Sequence, residues 1–155
     1  MRWFSAIDVK GDPDCLVALK SLHQLQRLYL ESCGDTVDGV VHLANHFSLR
    51  EVQIENAKIS RTVIEALQSI PNLRVLVFDN IEFDPKDWMR LADLCKRCAV
   101  TFGEIRGLEK NDLESLISLN DELRRQRDQE KKREKGAEPT KADEPKKPVR
   151  PLKRE

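Results

Sequence analysis

A repeat of 24 residues runs through about residues 1–110 and constrains the fold more than any other feature of the chain. The segments that begin at Met1, Leu25, Leu49, Leu73 and Arg97 align without gaps, and two of their columns are apolar throughout. The fourth column holds Phe4, Leu28, Val52, Leu76 and Val100, and the sixth holds Ala6, Leu30, Ile54, Phe78 and Phe102. Because one such unit cannot bury its own apolar side chains, we expect the copies to stack around a continuous core.

Each unit changes its hydrophobic period from that of a strand to that of a helix. The fourth and sixth positions lie two residues apart, as in a strand with one buried face. The sixteenth, nineteenth and twenty-second positions lie three apart, which predicts a short amphipathic helix. The twelfth position, between the two, holds residues that favour helix N-caps, namely Asp12, Thr36, Ser60 and Asp84. Pro13 and Pro85 directly follow two of these caps. Proline is favoured at the first position of a helix.

Three of the units resemble the leucine-rich repeat, whose pattern is LxxLxLxxN/C-x-L. The matching segments are LQRLYLESC from Leu25, LREVQIENA from Leu49 and LRVLVFDNI from Leu73. The resemblance implies an α/β fold, a right-handed solenoid of four or five parallel strands with helices on its convex side. Its ninth position departs from the family, because Ala57 and Ile81 cannot form the buried polar ladder that asparagine forms. We therefore expect less regular loops after the strands.

A small doubly wound α/β domain is the rival fold. It also alternates strands with helices, but nothing in it requires a fixed 24-residue period. Its strands, covered on both faces, are nearly all apolar. Here Tyr29, Gln53 and Thr101 alternate with apolar positions, which predicts that one face of the sheet is solvated.

The two ends of the repeat region differ. Asn111 and Glu114 have the spacing of a capping box, and an apolar stripe from Leu113 to Leu119 follows. We expect a helix there to cover the C-terminal end of the core. The N-terminal segment that contains Trp3 and Phe4 has no such cover and predicts an open edge strand. That edge favours self-association, unless the chain is a fragment of a longer repeat protein.

Charge divides the chain into an acidic body and a basic tail, although the formal net charge is zero. Residues 120–155 hold 13 basic and 9 acidic residues, a net +4, and residues 1–119 hold 14 and 18, a net −4. We therefore interpret 1–119 as a leucine-rich-repeat domain with a C-terminal cap, and 120–155 as a charged helical extension with a disordered basic tail. The stretch 136–155 has few large apolar residues and four prolines, so it cannot offset the entropy of ordering.

The sequence holds few groups suited to catalysis or metal binding. No G-x-S-x-G, P-loop or G-x-G-x-x-G motif is present. Cys95 and Cys98 form a lone CxxC without the further ligands of a structural zinc site, so we expect two reduced thiols and no zinc. Cys15 and Cys33 are expected to act as small core residues. We expect no enzymatic activity, no cofactor and no metal.

Three histidines occur along the chain. His42 and His46 lie four apart and could share a helix face, but no glutamate follows His42 as in a zinc-protease helix. His46 occupies an inward position of the repeat, where we expect a buried or edge histidine whose ring nitrogens are satisfied by a neighbour. His23 lies one place beyond the matching position in its own unit.

Location follows from two features of the sequence. No apolar run approaches the roughly 18 residues of a membrane span. Residues 1–8 lack the apolar region of a secretory signal. The four cysteines are therefore expected to be reduced, in a cytoplasmic protein.

The solvated sheet face is the predicted working surface. Its residues should lie at the third, fifth and seventh positions of the units, where they would face a protein partner. They are Trp3, Arg27, Tyr29, Glu31, Glu51, Gln53, Glu55, Val75, Val77 and Asp79. We predict a non-catalytic protein–protein interaction module whose concave sheet binds a protein partner. The alternative is a tethering protein that contacts nucleic acid or another polyanion through its basic tail, where any such contact is expected to be weak.

Overall fold

A computed structural model describes the backbone of residues 1–136 and their side chains, apart from those at 131 and 133–136. Its centre is a parallel β-sheet whose strands follow one another in chain order. The strands are β1 (Trp3–Ile7), β2 (Arg27–Glu31), β3 (Glu51–Ile59), β4 (Val75–Phe83), β5 (Ala99–Phe102) and the short β6 (Ile105–Arg106), which pairs with β4 beside β5. The fold therefore belongs to the α/β class with a parallel sheet, as the sequence predicts.

Every pair of neighbouring strands is in register at an offset of 24 residues. Phe4 lies opposite Leu28, Leu28 opposite Val52, and the same offset continues to Ile81 opposite Ile105. Burial alternates along the strands, since Leu28 and Leu30 are buried while Tyr29 between them is half-buried. One face of the sheet therefore meets the core, and the other, hereafter the open face, meets solvent.

Helical segments connect the strands and pack against the buried face. They are 3-10 helices at Pro13–Ser21, Gly34–Leu43 and Pro85–Asp87, and α-helices α1 (Arg61–Ser69), α2 (Trp88–Arg97) and α3 (Lys110–Gly136). The first two units thus carry 3-10 rather than α-helices. In the second, Gly34 and Gly39 disfavour the α-helix. A Cβ on Gly39 would stand 2.1 Å from the carbonyl oxygen of Pro13, so the close approach of these two segments requires glycine.

Three of the four predicted N-caps are confirmed. The side chains of Asp12, Ser60 and Asp84 each accept a hydrogen bond from a backbone N–H in the first turn that follows. Thr36 is not a cap, because its helix begins at Gly34. Its buried hydroxyl instead accepts from the N–H of Gly11 (3.1 Å) and donates to the carbonyl oxygen of Gly11 (3.0 Å). Thr36 therefore joins the loops of successive units.

A column of left-handed residues kinks the chain at the eighth position of four units. Asp8, Ser32, Asn56 and Asn80 have φ values of 53°, 53°, 52° and 47°. Asparagine and aspartate tolerate this conformation better than most residues. The Asn80 amide donates to the Asn56 side-chain oxygen over 2.6 Å. This exposed amide pair thus lies one residue before the position at which the resembled family has its asparagine ladder. The strands β3 and β4 continue past the amide pair.

The C-terminal end of the sheet is covered by α3. Leu116 is fully buried, and the buried Asn120 side chain donates to the carbonyl oxygen of Val100 over 2.7 Å. The helix begins at Lys110, so Asn111 lies inside it and the predicted capping box is wrong. The helix passes position 119 without interruption, and Gly136 is its last residue. The rest of the predicted tail, 137–155, lies outside the described residues.

Within the described residues, no helix is long and apolar enough to cross a membrane.

Candidate functional site

The structure places all ten predicted residues on the open face, in three rows across the strands. Across β1 to β4, the first row runs Trp3, Arg27, Glu51, Val75. The second begins with Ser5, which the prediction did not include, and continues with Tyr29, Gln53 and Val77. The third begins with Ile7 and continues with Glu31, Glu55 and Asp79. Neighbours in a row sit on adjacent strands, which lie about 4.8 Å apart.

The third row contains three neighbouring carboxylates, hereafter the acidic row. Each accepts a hydrogen bond from a neutral donor. The Tyr29 hydroxyl donates to Glu31 and the Gln53 amide donates to Glu55, both over 2.5 Å. The backbone N–H of Glu104 donates to Asp79 over 3.1 Å. Among the side chains that the structure describes, no Lys, Arg or His forms an ion pair with these carboxylates. The row is therefore a strip of negative charge without a cation of its own.

The Asp79 carboxylate extends over the neighbouring chain segment. A Cβ on Gly103, the next residue in the row, would stand 1.9 Å from the Asp79 carboxylate oxygen. The carboxylate thus occupies the space that a side chain at position 103, just after β5, would fill. Sequence reasoning missed Gly103 and Glu104 as parts of the site. The signal was the glycine at a position that is acidic in three preceding units.

Tyr29 is a hydrogen-bond donor on this face. Its hydrogen bond to Glu31 raises the pKa of the phenol above its usual value, and burial and the charge of Glu55 raise the pKa further. A phenol held in this way stays protonated, so it can hold Glu31 in place but cannot act as a base near neutral pH.

Parts of the first and second rows line a shallow cleft beside β1. The cleft has a volume of about 360 Å³, near the lower end of the usual range for small-molecule sites, and is lined mainly by Trp3, Arg27, Tyr29, Glu51 and Gln53. Arg27 forms an ion pair with Glu51 at 3.0 Å. Trp3 is 60% exposed and gives the cleft its apolar wall. Five of the predicted residues therefore come together around one depression.

Val75 and Val77 form the second apolar part of the face. Val75 is 36% exposed and Val77 is half-buried. Gln53 on β3 separates Val77 from Tyr29 on β2. The apolar groups are therefore two islands on either side of a polar strand, with the acidic row along one side of both.

A second cleft of about 440 Å³ lies where the strands end, and the sequence did not indicate it. Its charged side chains include Asp38, Lys58, Glu82 and Arg106. Lys58 and Glu82 lie 3.4 Å apart as an ion pair, and Asp38 accepts a hydrogen bond from Ser60 over 2.6 Å. Charges of both signs therefore line the cleft, and two of them already pair with each other.

Cys95 and Cys98 lie at the end of α2, and both are buried. Burial raises the pKa of Cys95 to about 12, with the neighbouring Cys98 adding to it, and burial raises the pKa of Cys98 to about 11. Cys33 is also fully buried, as predicted. Cys15 is exposed, so its predicted role in the core is wrong. Its position precedes the inward-facing Leu16 on a 3-10 helix.

We expect one of the four thiols to react in the native protein. Iodoacetamide at pH 8 should alkylate Cys15 and leave Cys33, Cys95 and Cys98 unmodified, because thiolate is the reactive form and the buried thiols of the CxxC remain protonated. Peptide mass spectrometry with and without denaturant measures this directly. Rapid native labelling of Cys95 would contradict the packing of α3 over α2.

The histidines do not form a metal site. His42 binds Asp14 at 3.0 Å, while His46 lies beyond the end of the helix that holds His42. His46 is 7% exposed, and neither of its buried ring nitrogens has a hydrogen-bond partner, so the expected satisfaction by a neighbour is wrong. Within residues 1–136, no three His, Cys, Asp or Glu side chains are grouped to hold a metal ion.

In comparisons with known proteins, no family model, no curated protein and no solved structure matches this chain.

Proposed function

We propose that the chain is a protein–protein interaction module without catalytic activity, built as a right-handed leucine-rich-repeat solenoid with its helices on the convex side. The unbroken 24-residue register of the sheet supports the solenoid. The right hand follows from the strong preference of crossovers between parallel strands. A cytoplasmic location is part of the proposal, and the free thiols fit it.

The observation that carries the binding function is the acidic row beside two apolar islands. An unpaired strip of carboxylates attracts cations, and Trp and Tyr are the side chains that most often dominate binding energies. We therefore propose a partner segment in which basic residues flank one or two apolar side chains. The basic side chains would meet Glu31 and Glu55, and the apolar ones would meet Trp3 or Val75.

The surface suits a transient complex. A standard interface buries about 800 Å² on each partner, and the open face of five short strands offers only separated apolar islands. The affinity would depend on attraction between charges. Salt would weaken it, because interactions between exposed charges are largely screened beyond the Debye length, which is about 8 Å in physiological salt.

A peptide selection tests the proposed function. Random 12-residue peptides displayed on phage and selected on the immobilised protein should be enriched in Lys and Arg around an apolar residue. An extended peptide of this length is about 40 Å long and more than spans the width of the sheet. Binding of a selected peptide, followed by fluorescence anisotropy, should weaken about tenfold when Glu31→Gln and Glu55→Gln are combined, because two attractive charges are lost.

Glu82→Gln is the matched control for this test. Glu82 is a half-buried acid on the same sheet, but it already pairs with Lys58. Its loss should leave peptide affinity within about twofold of the unmodified protein. Equal losses in both variants, or no enrichment of basic residues in the selection, would count against the acidic row as the site.

The basic tail supports a second candidate, the binding of a polyanion. The excess of 13 basic over 9 acidic residues in 120–155 favours contact with nucleic acid, but the stretch has no aromatic side chain to stack on bases. We expect salt-sensitive binding that disappears near 150 mM salt, since phosphate contacts weaken as counterions compete. A gel shift with single- and double-stranded DNA across a salt series measures it. A complex that survives at that salt and is lost on deletion of 137–155 would favour the polyanion function.

A further inference from the structure

One edge of the sheet is formed by β1, and the backbone groups along it follow a strict alternation. Among the described strands, β1 pairs only with β2. The carbonyl oxygen of Arg2 accepts from Arg27 over 3.0 Å, and the N–H of Asp8 donates to Glu31 over 2.9 Å. Even-numbered residues therefore face β2. The N–H and C=O groups of Trp3, Ser5 and Ile7 consequently point away from the sheet and are available to another strand.

The free edge lacks the features that normally prevent strand pairing. Natural edges are blunted by charged side chains, proline or a covering segment. The strand from Trp3 to Ile7 contains no charge and no proline. Trp3 and Ile7 are 60% and 54% exposed on the open face. The opposite end of the sheet is different, because α3 packs on β5 and α2 there.

We propose that the free edge of β1 pairs with β1 of a second copy of this chain. The two strands run antiparallel about a twofold axis at Ser5, so that Ser5 faces Ser5 and Trp3 faces Ile7. This register uses every free backbone group of the strand, since odd-numbered residues then face odd-numbered residues. It forms six inter-chain hydrogen bonds in the ladder, two for each directly opposed pair of this type.

Charge complementarity favours a second copy of the chain as the partner of the β1 edge. Arg2 and Asp8 flank the uncharged strand at its two ends. An antiparallel pair centred on Ser5 sets Arg2 of each chain beside Asp8 of the other, whereas a parallel pair would set Arg2 beside Arg2. On the open face, Trp3 of each chain meets Ile7 of the other, an aromatic and β-branched pair of the kind that stabilises antiparallel strands.

The resulting dimer would join the two open faces into one sheet. Each copy contributes its five ordered strands, and the twofold axis places the two clefts beside Trp3 close together. A single strand pair buries less than a standard interface, so we expect a dimer in the micromolar range. This inference goes beyond the proposed function, because it depends on the edge of β1 and not on the acidic row.

Analytical ultracentrifugation of the full chain over a concentration series tests the dimer. The mass should rise with concentration from 17.9 kDa towards twice that value. Ile7→Pro should hold the chain at the monomer mass, because proline removes an outward-facing N–H of the free edge and leaves the hydrogen bonds to β2 in place. Met89→Lys is the matched control: Met89 is 65% exposed on α2, away from the edge, and its change should leave the dimer intact. A monomer at every concentration would overturn the proposal.

Disulfide cross-linking tests the register. In a Cys15→Ser background, Ser5→Cys should give a covalent dimer on mild oxidation, since directly opposed residues have Cα atoms about 5.5 Å apart, within disulfide reach. Ile7→Cys should not cross-link, because the two Ile7 positions lie about 13 Å apart along the ladder. Efficient cross-linking through Ile7→Cys, or none through Ser5→Cys, would overturn the register. Ile7 is outside the proposed peptide site, so failure of the dimer leaves the peptide test standing.

Discussion

Leu76→Ala should lower the free energy of unfolding by about 2–5 kcal/mol, the usual range for a buried leucine that leaves a cavity. Leu76 is fully buried and lies in β4, between Val52 of β3 and Val100 of β5. Its loss would remove contacts on both sides within a densely packed layer, where neighbouring strands are held in register and cannot collapse into the space.

Val77→Ala is the control for this experiment. Val77 is the next residue along β4, but it is half-buried on the open face. We expect it to cost less than about 1 kcal/mol, mainly through β-propensity. Urea denaturation followed by circular dichroism gives both values. Because a shift of one residue exchanges the two faces of a strand, a larger loss for Val77→Ala than for Leu76→Ala would show that the register is wrong.

The sheet and the open face were predictable because their determinants are local and periodic. A strand places alternate side chains on opposite faces, and stacked copies at a fixed period align equivalent residues. Reading the third, fifth and seventh positions therefore sufficed to group Arg27 with Glu51 and Glu31 with Glu55. Nothing beyond spacing was needed to place these side chains in rows.

The details that the sequence did not predict depend on contacts between units. Thr36 looks like a cap, yet its hydroxyl bonds to Gly11, which lies 25 residues earlier. The position of Asp79 depends on the absence of a side chain at Gly103, just after the next strand. The 3-10 form of the second helical segment accompanies the close approach of Gly39 to Pro13. Such contacts join residues about one repeat apart, so inspection of a single unit does not reveal them.

The left-handed column was readable from the sequence and was missed. Asp8, Asn56 and Asn80 recur at one position of the repeat, and these residue types favour positive φ. The eighth position, one residue before the ladder position of the resembled family, thus carries a conformational signal of its own. The column allows β3 and β4 to continue after the kink, which adds a second set of paired residues, Ala57 with Ile81 among them.

Replacing His46 with leucine should stabilise the protein. Both ring nitrogens of His46 are buried without a hydrogen-bond partner. An unsatisfied buried polar group costs about 1–3 kcal/mol, and an apolar group of similar shape avoids that cost. The equivalent positions in neighbouring units hold Leu22, Ile70 and Leu94, which shows that this part of the repeat accepts aliphatic side chains.

The change in the free energy of unfolding tests whether the ring nitrogens of His46 are unsatisfied in the folded protein. We expect His46→Leu to raise the free energy of unfolding by about 1–3 kcal/mol, measured by the same urea titration. His23→Leu, at an exposed histidine, should change it by less than about 0.5 kcal/mol. A loss of stability in His46→Leu would mean that the ring is hydrogen-bonded in solution. A gain accompanied by unchanged peptide binding would mean that His46 is retained at a cost to stability for a reason unrelated to the open face.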